Sequence, residues 1–194
     1  MKVIELSCVL LLALIVFTGC QADEDDVPTP QMEEEEPLEF DPALANEFTY
    51  QGTTQALTDA ILIGDGERNT DGRISWQLYL TTDGLIEDDG TFSGTGDFLL
   101  LELNTGNPDG LVSSTYVLNG IAQQLTYNST SSLYSDFNLS ELTGSVTNIR
   151  NGEVTLTVQG DQIIAEFDFD LAIPNLGQPA SPLSGAYQGT LKRF

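Results

Sequence analysis

From about Leu44 to Phe194 apolar and polar residues alternate in several runs, with frequent Gly, Asn, Asp and Thr. The clearest run is Asp161 to Leu171, where Ile163, Ala165, Phe167, Phe169 and Leu171 alternate with Ile164, Glu166, Asp168 and Asp170. Successive side chains of a strand point to opposite faces, so this spacing predicts one face in a core and the other in water. Ile74, Trp76, Leu78 and Leu80 alternate with Ser75, Gln77, Tyr79 and Thr81, which assigns Trp76 to a core. Val154, Leu156 and Val158 alternate with Thr155 and Thr157. Phe98-Leu99-Leu100-Leu101 is apolar at every position and predicts a strand covered on both faces or a run crossing the core. No window carries the period of an amphipathic helix.

Between these runs stand turn signals: Gly64-Asp65-Gly66, Asp71-Gly72, Asp83-Gly84, Asp89-Gly90, Pro108-Asp109-Gly110, Asn119-Gly120, Asn151-Gly152 and Gly160-Asp161. Asn-Gly and Asp-Gly supply the positive φ that tight turns demand. Arg150-Asn151-Gly152-Glu153, between two strand patterns, is expected to be a two-residue hairpin. About eight to eleven strands follow, giving an all-β domain over residues 44–194. The expected architecture is an antiparallel meander closing into a calycin-like barrel or a β-sandwich. Tyr50-Gln51-Gly52-Thr53 recurs as Tyr187-Gln188-Gly189-Thr190, and first and last strands that pair would remove the exposed edges of an open sheet.

The N-terminus follows other rules. Met1-Lys2 gives one positive charge, Val9 to Phe17 is apolar, and Thr18-Gly19 precedes Cys20. A membrane-spanning helix needs about 20 apolar residues, and Glu5 interrupts this stretch too early. The pattern resembles a bacterial lipoprotein signal over residues 1–19, in which Cys20 receives a diacylglycerol and becomes the new N-terminus. Phe17 departs from it, since an aliphatic residue is usual there. The alternative is an ordinary secretory signal with an incidental cysteine. Each buried acyl methylene contributes about 0.8 kcal/mol, so two or more chains anchor stably. Cleavage also removes Cys8, leaving no disulfide to form within the mature chain.

Residues 21–41 hold ten acidic side chains and no basic one, with Pro28, Pro30 and Pro37 among them. Repulsion and proline both oppose collapse, so residues 20–43 are expected to form an extended stalk reaching several tens of Å, at about 3 Å per residue. An acidic run after a lipidated cysteine resembles the export signal of Bacteroidota surface lipoproteins. That likeness implies an outer-membrane, lipid-anchored protein at the cell surface; a solvating spacer on a periplasm-facing protein is the other reading. The ending Gly185 to Leu191 and the opening Phe48 to Ile63 are similar to small all-β lipoproteins of Bacteroidota, a resemblance that carries no functional residues.

Charge and composition then remove classes of chemistry. The chain has no His, its net charge is −24, and Lys192 is the one lysine after the signal. Ser-His and Cys-His catalysis and the usual zinc sites lack their residues. Nucleic acid calls for the opposite charge. No enzymatic activity and no cofactor is expected, calcium being the one metal to consider. The loop from Asp65 to Gly72 places oxygen-bearing Asp65, Glu67, Asn69 and Asp71 at alternate positions, as calcium loops do. It contains Arg68 and lacks the Glu of an EF-hand at the twelfth position, so a plain hairpin loop competes with the calcium reading. Glu166, Asp168 and Asp170 form a second acidic row roughly 7 Å apart, read as a solvated face. Tyr79, Tyr127 and Tyr134 are the candidate ligand-binding residues, expected to be exposed for stacking on a glycan ring.

Three functions compete. The first is a surface binding module for a glycan, peptide or small ligand, attached to the membrane through Cys20. The second is a structural or assembly accessory of the envelope with no small ligand; the third is a carboxylate glycoside hydrolase. A hollow, partly apolar interior favours the first, a filled core with an apolar surface patch the second, and two convergent carboxylates in a cleft the third.

Overall fold

The computed structural model describes residues 37–64, 74–88, 91–118, 125–172 and 180–194. The chain divides into Met1–Glu35 and Glu36–Phe194, and every described residue belongs to the second unit. Its strands are β1 (Glu47–Tyr50), β2 (Thr53–Ile63), β3 (Ser75–Thr82), β4 (Leu85–Asp88), β5 (Thr91–Asn104) and β6 (Ser114–Leu118). Then follow β7 (Thr126–Tyr127), β8 (Ser132–Asn138), β9 (Thr143–Gln159), β10 (Gln162–Leu171) and β11 (Ser181–Arg193). The domain is all-β, as the alternation requires, and no helix is found among the described residues.

The eleven strands of the described residues join one sheet whose hydrogen bonds form a ring, β9-β10-β11-β1-β2-β3-β5-β8 and back to β9. First and last strands do pair, Glu47 opposite Ala186 and Tyr50 opposite Leu183. The sheet is mixed rather than purely antiparallel. β1 has only four residues, so the longer β11 runs on past it and meets β2 in parallel, Leu191 opposite Ala60. A second parallel ladder joins β6 and β7.

The expected hairpin at Asn151-Gly152 is corrected. Asn151-Gly152 makes no hairpin; it lies within β9, where the register against β10 slips between Asp170 and Leu171. Arg150 is the extra residue of a bulge between Asn151, opposite Asp170, and Ile149, opposite Leu171, and β10 is long enough to pair on both sides of it, while Gly152 (φ 108°) stays in the ladder opposite Phe169. The repeated Tyr-Gln-Gly-Thr also takes two forms. Gln51 and Gly52 turn between β1 and β2, whereas Tyr187 to Thr190 lie inside β11.

Inside the ring the alternating residues meet as anticipated. Ile163, Ala165, Phe167, Phe169 and Leu171 are buried against Leu78, Leu80, Leu99, Leu101, Val154 and Leu156. Trp76 is a core residue whose indole N–H donates to Asn107 O at 3.0 Å. Tyr116 and Tyr127 are also fully buried there. The interior is therefore filled by side chains.

The chain enters the domain at a defined end. Leu38 N–H donates to the Gln162 side chain (2.8 Å), and the Gln188 amide donates to Asp41 O and Leu44 O. Gln162 opens β10 beside the Gly160-Asp161 turn, and Arg193, at the end of β11, donates to Gly160 O. From that end β10, β3 and β8 run away while β11, β2, β5 and β9 run toward it. The β4–β5 tip and the β8–β9 turn consequently lie at the far end.

Candidate functional site: an aromatic cleft outside the ring

β4 continues the register of β3 against β5, Thr81 opposite Phe98 and then Leu85 opposite Gly94, so these strands form one long hairpin. Its distal part is bent sharply. Phe92 pairs with Glu87, eight residues along the arm from Tyr79, which in a straight strand would separate them by roughly 26 Å. Their ring centroids are 5.1 Å apart. Gly84 and Gly94 make the fold-back: both have φ of 95°, and a Cβ on Gly94 would stand 2.1 Å from Gly84 O.

Folding back lays the hairpin tip over the outer face of β3, β5 and β8. Tyr79, Phe98, Leu100 and Tyr134 form the floor of the resulting cleft, with Leu85 and Phe92 on the tip as one wall. Phe137, Leu139 and Leu142 form the opposite wall, and the cleft has a volume of about 330 Å³. Phe98 and Tyr134 stack at 4.3 Å with planes 9° apart, and Phe137 stands edge-on to both. The Tyr79 hydroxyl donates to the Gln77 side chain at 2.9 Å. Burial, then the neighbouring Tyr134, raises the pKa of Tyr79, so its phenol stays neutral.

Of the three tyrosines singled out from the sequence, Tyr79 and Tyr134 thus meet across Phe98 in one cleft. Tyr127 does not join them. It was expected on the surface but is fully buried, its ring edge-on to Phe169 and its hydroxyl donating to Gly152 O at 3.0 Å. The cause is the short β7, which pairs with the end of β5 and sets Tyr127 opposite core residue Leu103. Phe92 and Phe137 were missed altogether. The signal for them was the two-faced run Phe98 to Leu101: Leu99 and Leu101 point into the core, and Phe98 and Leu100 face the cleft.

The loop with Asp65, Glu67, Asn69 and Asp71 lies outside the described residues. Among the described residues no group of three or more Asp, Glu, His or Cys side chains is arranged to hold a metal. Glu166 and Asp168 are exposed and Asp170 half-buried, as a solvated face requires. Asp168 stands directly opposite exposed Glu153, and a shallow groove runs past both over β9, β10 and β11.

Compared with protein families, with curated proteins and with solved structures, the chain matches none.

Proposed function

We propose that this protein is a lipid-anchored extracytoplasmic binding module, held at the outer membrane through Cys20 and capturing its ligand in the aromatic cleft. The observation that carries this reading is the cleft itself: a concave, aromatic-lined site on the outside of a ring whose interior is already filled. Its position supports the same reading. Residues 37–46 enter at one end and the cleft walls rise at the other, so an anchored domain would present the cleft away from its point of attachment. The anchor is supported by the sequence from Met1 to Cys20 and the acidic segment after it.

Titration of the full Cys20→Ala chain with Nile red, a neutral apolar dye, tests the site. Saturable binding is expected, weakened at least severalfold by Phe92→Ala on the hairpin tip, outside the core. Absence of saturable binding, or binding indifferent to the substitution, overturns it. For the anchor, fatty-acid labelling should disappear in Cys20→Ala, and labelling that persists rules out lipidation there.

The filled interior and the exposed Leu142 (74%) and Ile86 (62%) near the cleft favour a second reading, an envelope assembly accessory docking a protein on this face. Photocrosslinking from position 142 in living cells into one discrete adduct, with no Nile red binding, would favour it. The hydrolase reading lacks support, since Glu153 and Asp168 lie in a shallow groove open to solvent rather than in a cleft.

A further inference from the structure

Granted that the cleft is the binding site, its lining and its electrostatic surroundings select among ligands. Five rings adjoin it, those of Tyr79, Phe92, Phe98, Tyr134 and Phe137, in mutual contact at centroid distances from 4.3 to 6.0 Å. No basic side chain among the described residues lines the cleft. Among the described residues Lys192, in the row Lys192-Ile61-Tyr79 that leads to the cleft floor, is paired with Asp59 at 2.8 Å; Arg193 lies beside Asp161 on the end where the chain enters, and Arg150 is exposed on β9. Half-buried Glu87 stands across from Phe92 on the cleft face of the hairpin tip. Asp97, next to Phe98 but on the other face of β5, is a buried carboxylate whose hydrogen bonds come from the neutral Gln55 side chain and Asp136 N–H. From Pro42 onward the chain carries 19 acidic and five basic residues.

Aromatic faces attract cations, and a negative potential concentrates them in a cleft with low-dielectric walls. A hard ion such as calcium or sodium needs oxygen ligands that this cleft does not supply. A quaternary ammonium differs, because its charge is spread over methyl groups that lose little on leaving water. A carboxylate or phosphate on the same molecule would meet the acidic surroundings unfavourably. We propose that the cleft takes a small quaternary ammonium compound carrying no compensating anion.

The probes are choline, its neutral isostere in which carbon replaces the ammonium nitrogen, and zwitterionic phosphocholine, each titrated into the full Cys20→Ala chain at low salt. Choline is expected to bind about threefold to thirtyfold more tightly than the isostere. Its affinity should fall with added sodium chloride, and phosphocholine should bind more weakly than choline. Phe92→Leu should cost choline more than the isostere. An isostere as tight as choline, or phosphocholine as the tightest of the three, overturns the cation assignment and leaves the cleft standing. The same holds if Nile red binds and choline does not. If no probe binds, Nile red included, the cleft reading falls with it.

Discussion

The side chain of Gln55 donates to the carboxylate of Asp97 at the level where the long hairpin leaves β2. β2 pairs with β3 up to Leu57 opposite Thr82; beyond that point Thr53 to Ala56 pair with β1. Asp97 also accepts from Asp136 N–H of β8 at 2.7 Å, while Thr82 Oγ1 is hydrogen-bonded to both the N–H and C=O of Asp97. One buried carboxylate thus ties β2, β5 and β8 together where the regular ladder stops.

That role predicts a large cost for its removal. Hydrogen bonds to a charged group are worth about 1.5 to 3 kcal/mol each, and their loss would leave Gln55 and the Asp136 N–H without this acceptor. Asp97→Ala is expected to destabilise the domain by about 3 kcal/mol in urea unfolding. A loss under about 1 kcal/mol would show that the carboxylate does not hold these strands.

The glycine pair makes a separate prediction. A side chain on Gly84 would stand 2.4 Å from Thr95 O, and its φ of 95° disfavours any residue with a Cβ. Gly84→Ala should therefore cost about 1 to 3 kcal/mol and open the bend, weakening Nile red binding beyond what the stability loss explains. Gly160→Ala is the control, since nothing lies near a Cβ there, although its positive φ still carries a cost. Unchanged dye binding in Gly84→Ala would separate the bend from the site.

How far the sequence could be read depended on the range of the interactions. Alternation is local, so the faces of β3 and β10, including Trp76 and Phe167, were legible from the order of residues alone. The closure of the ring was suggested by a repeat whose two copies proved structurally unlike, and pairing of β1 with β11 rests instead on Phe48 and Leu183, both in the core. Asn151-Gly152 misled because a glycine of positive φ also fits inside a strand, here next to the bulge at Arg150, and only the length of β10 decides between strand and turn. The cleft was half visible: Tyr79 and Tyr134 were found, but their convergence depends on a fold-back at Gly84 and Gly94 that brings together positions far apart along the hairpin.

The two faces of β10 can be compared directly. Phe169 is buried and packs on Phe167 and Tyr127, so Phe169→Ala should cost about 3 to 5 kcal/mol. Exposed Asp168 faces Glu153 across the ladder, and like charges directly opposite are destabilising, so Asp168→Asn should be neutral or slightly stabilising. If Asp168→Asn is the costlier change in urea unfolding, the faces of this strand are assigned the wrong way round.

The pH dependence follows from buried phenols in a chain without histidine. Burial raises the pKa of Tyr79, Tyr116, Tyr127 and Tyr187 above the ordinary value of 10.0, with the nearby Asp170 adding to the effect on Tyr127. The folded state therefore holds its phenolic protons at pH values where the unfolded chain has released them. A folded pKa above the unfolded one contributes stability that is fully present below the unfolded pKa, near 10, and is lost as pH rises through the folded values. With no imidazole to titrate, stability should be nearly flat between about pH 6 and 9, then fall steeply in alkali. Urea midpoints measured across that range test both halves, and Tyr127→Phe should make the alkaline fall shallower by removing one of the four phenols. A decline that begins well below about pH 9, or a slope unchanged in Tyr127→Phe, would mean that buried tyrosines do not govern it.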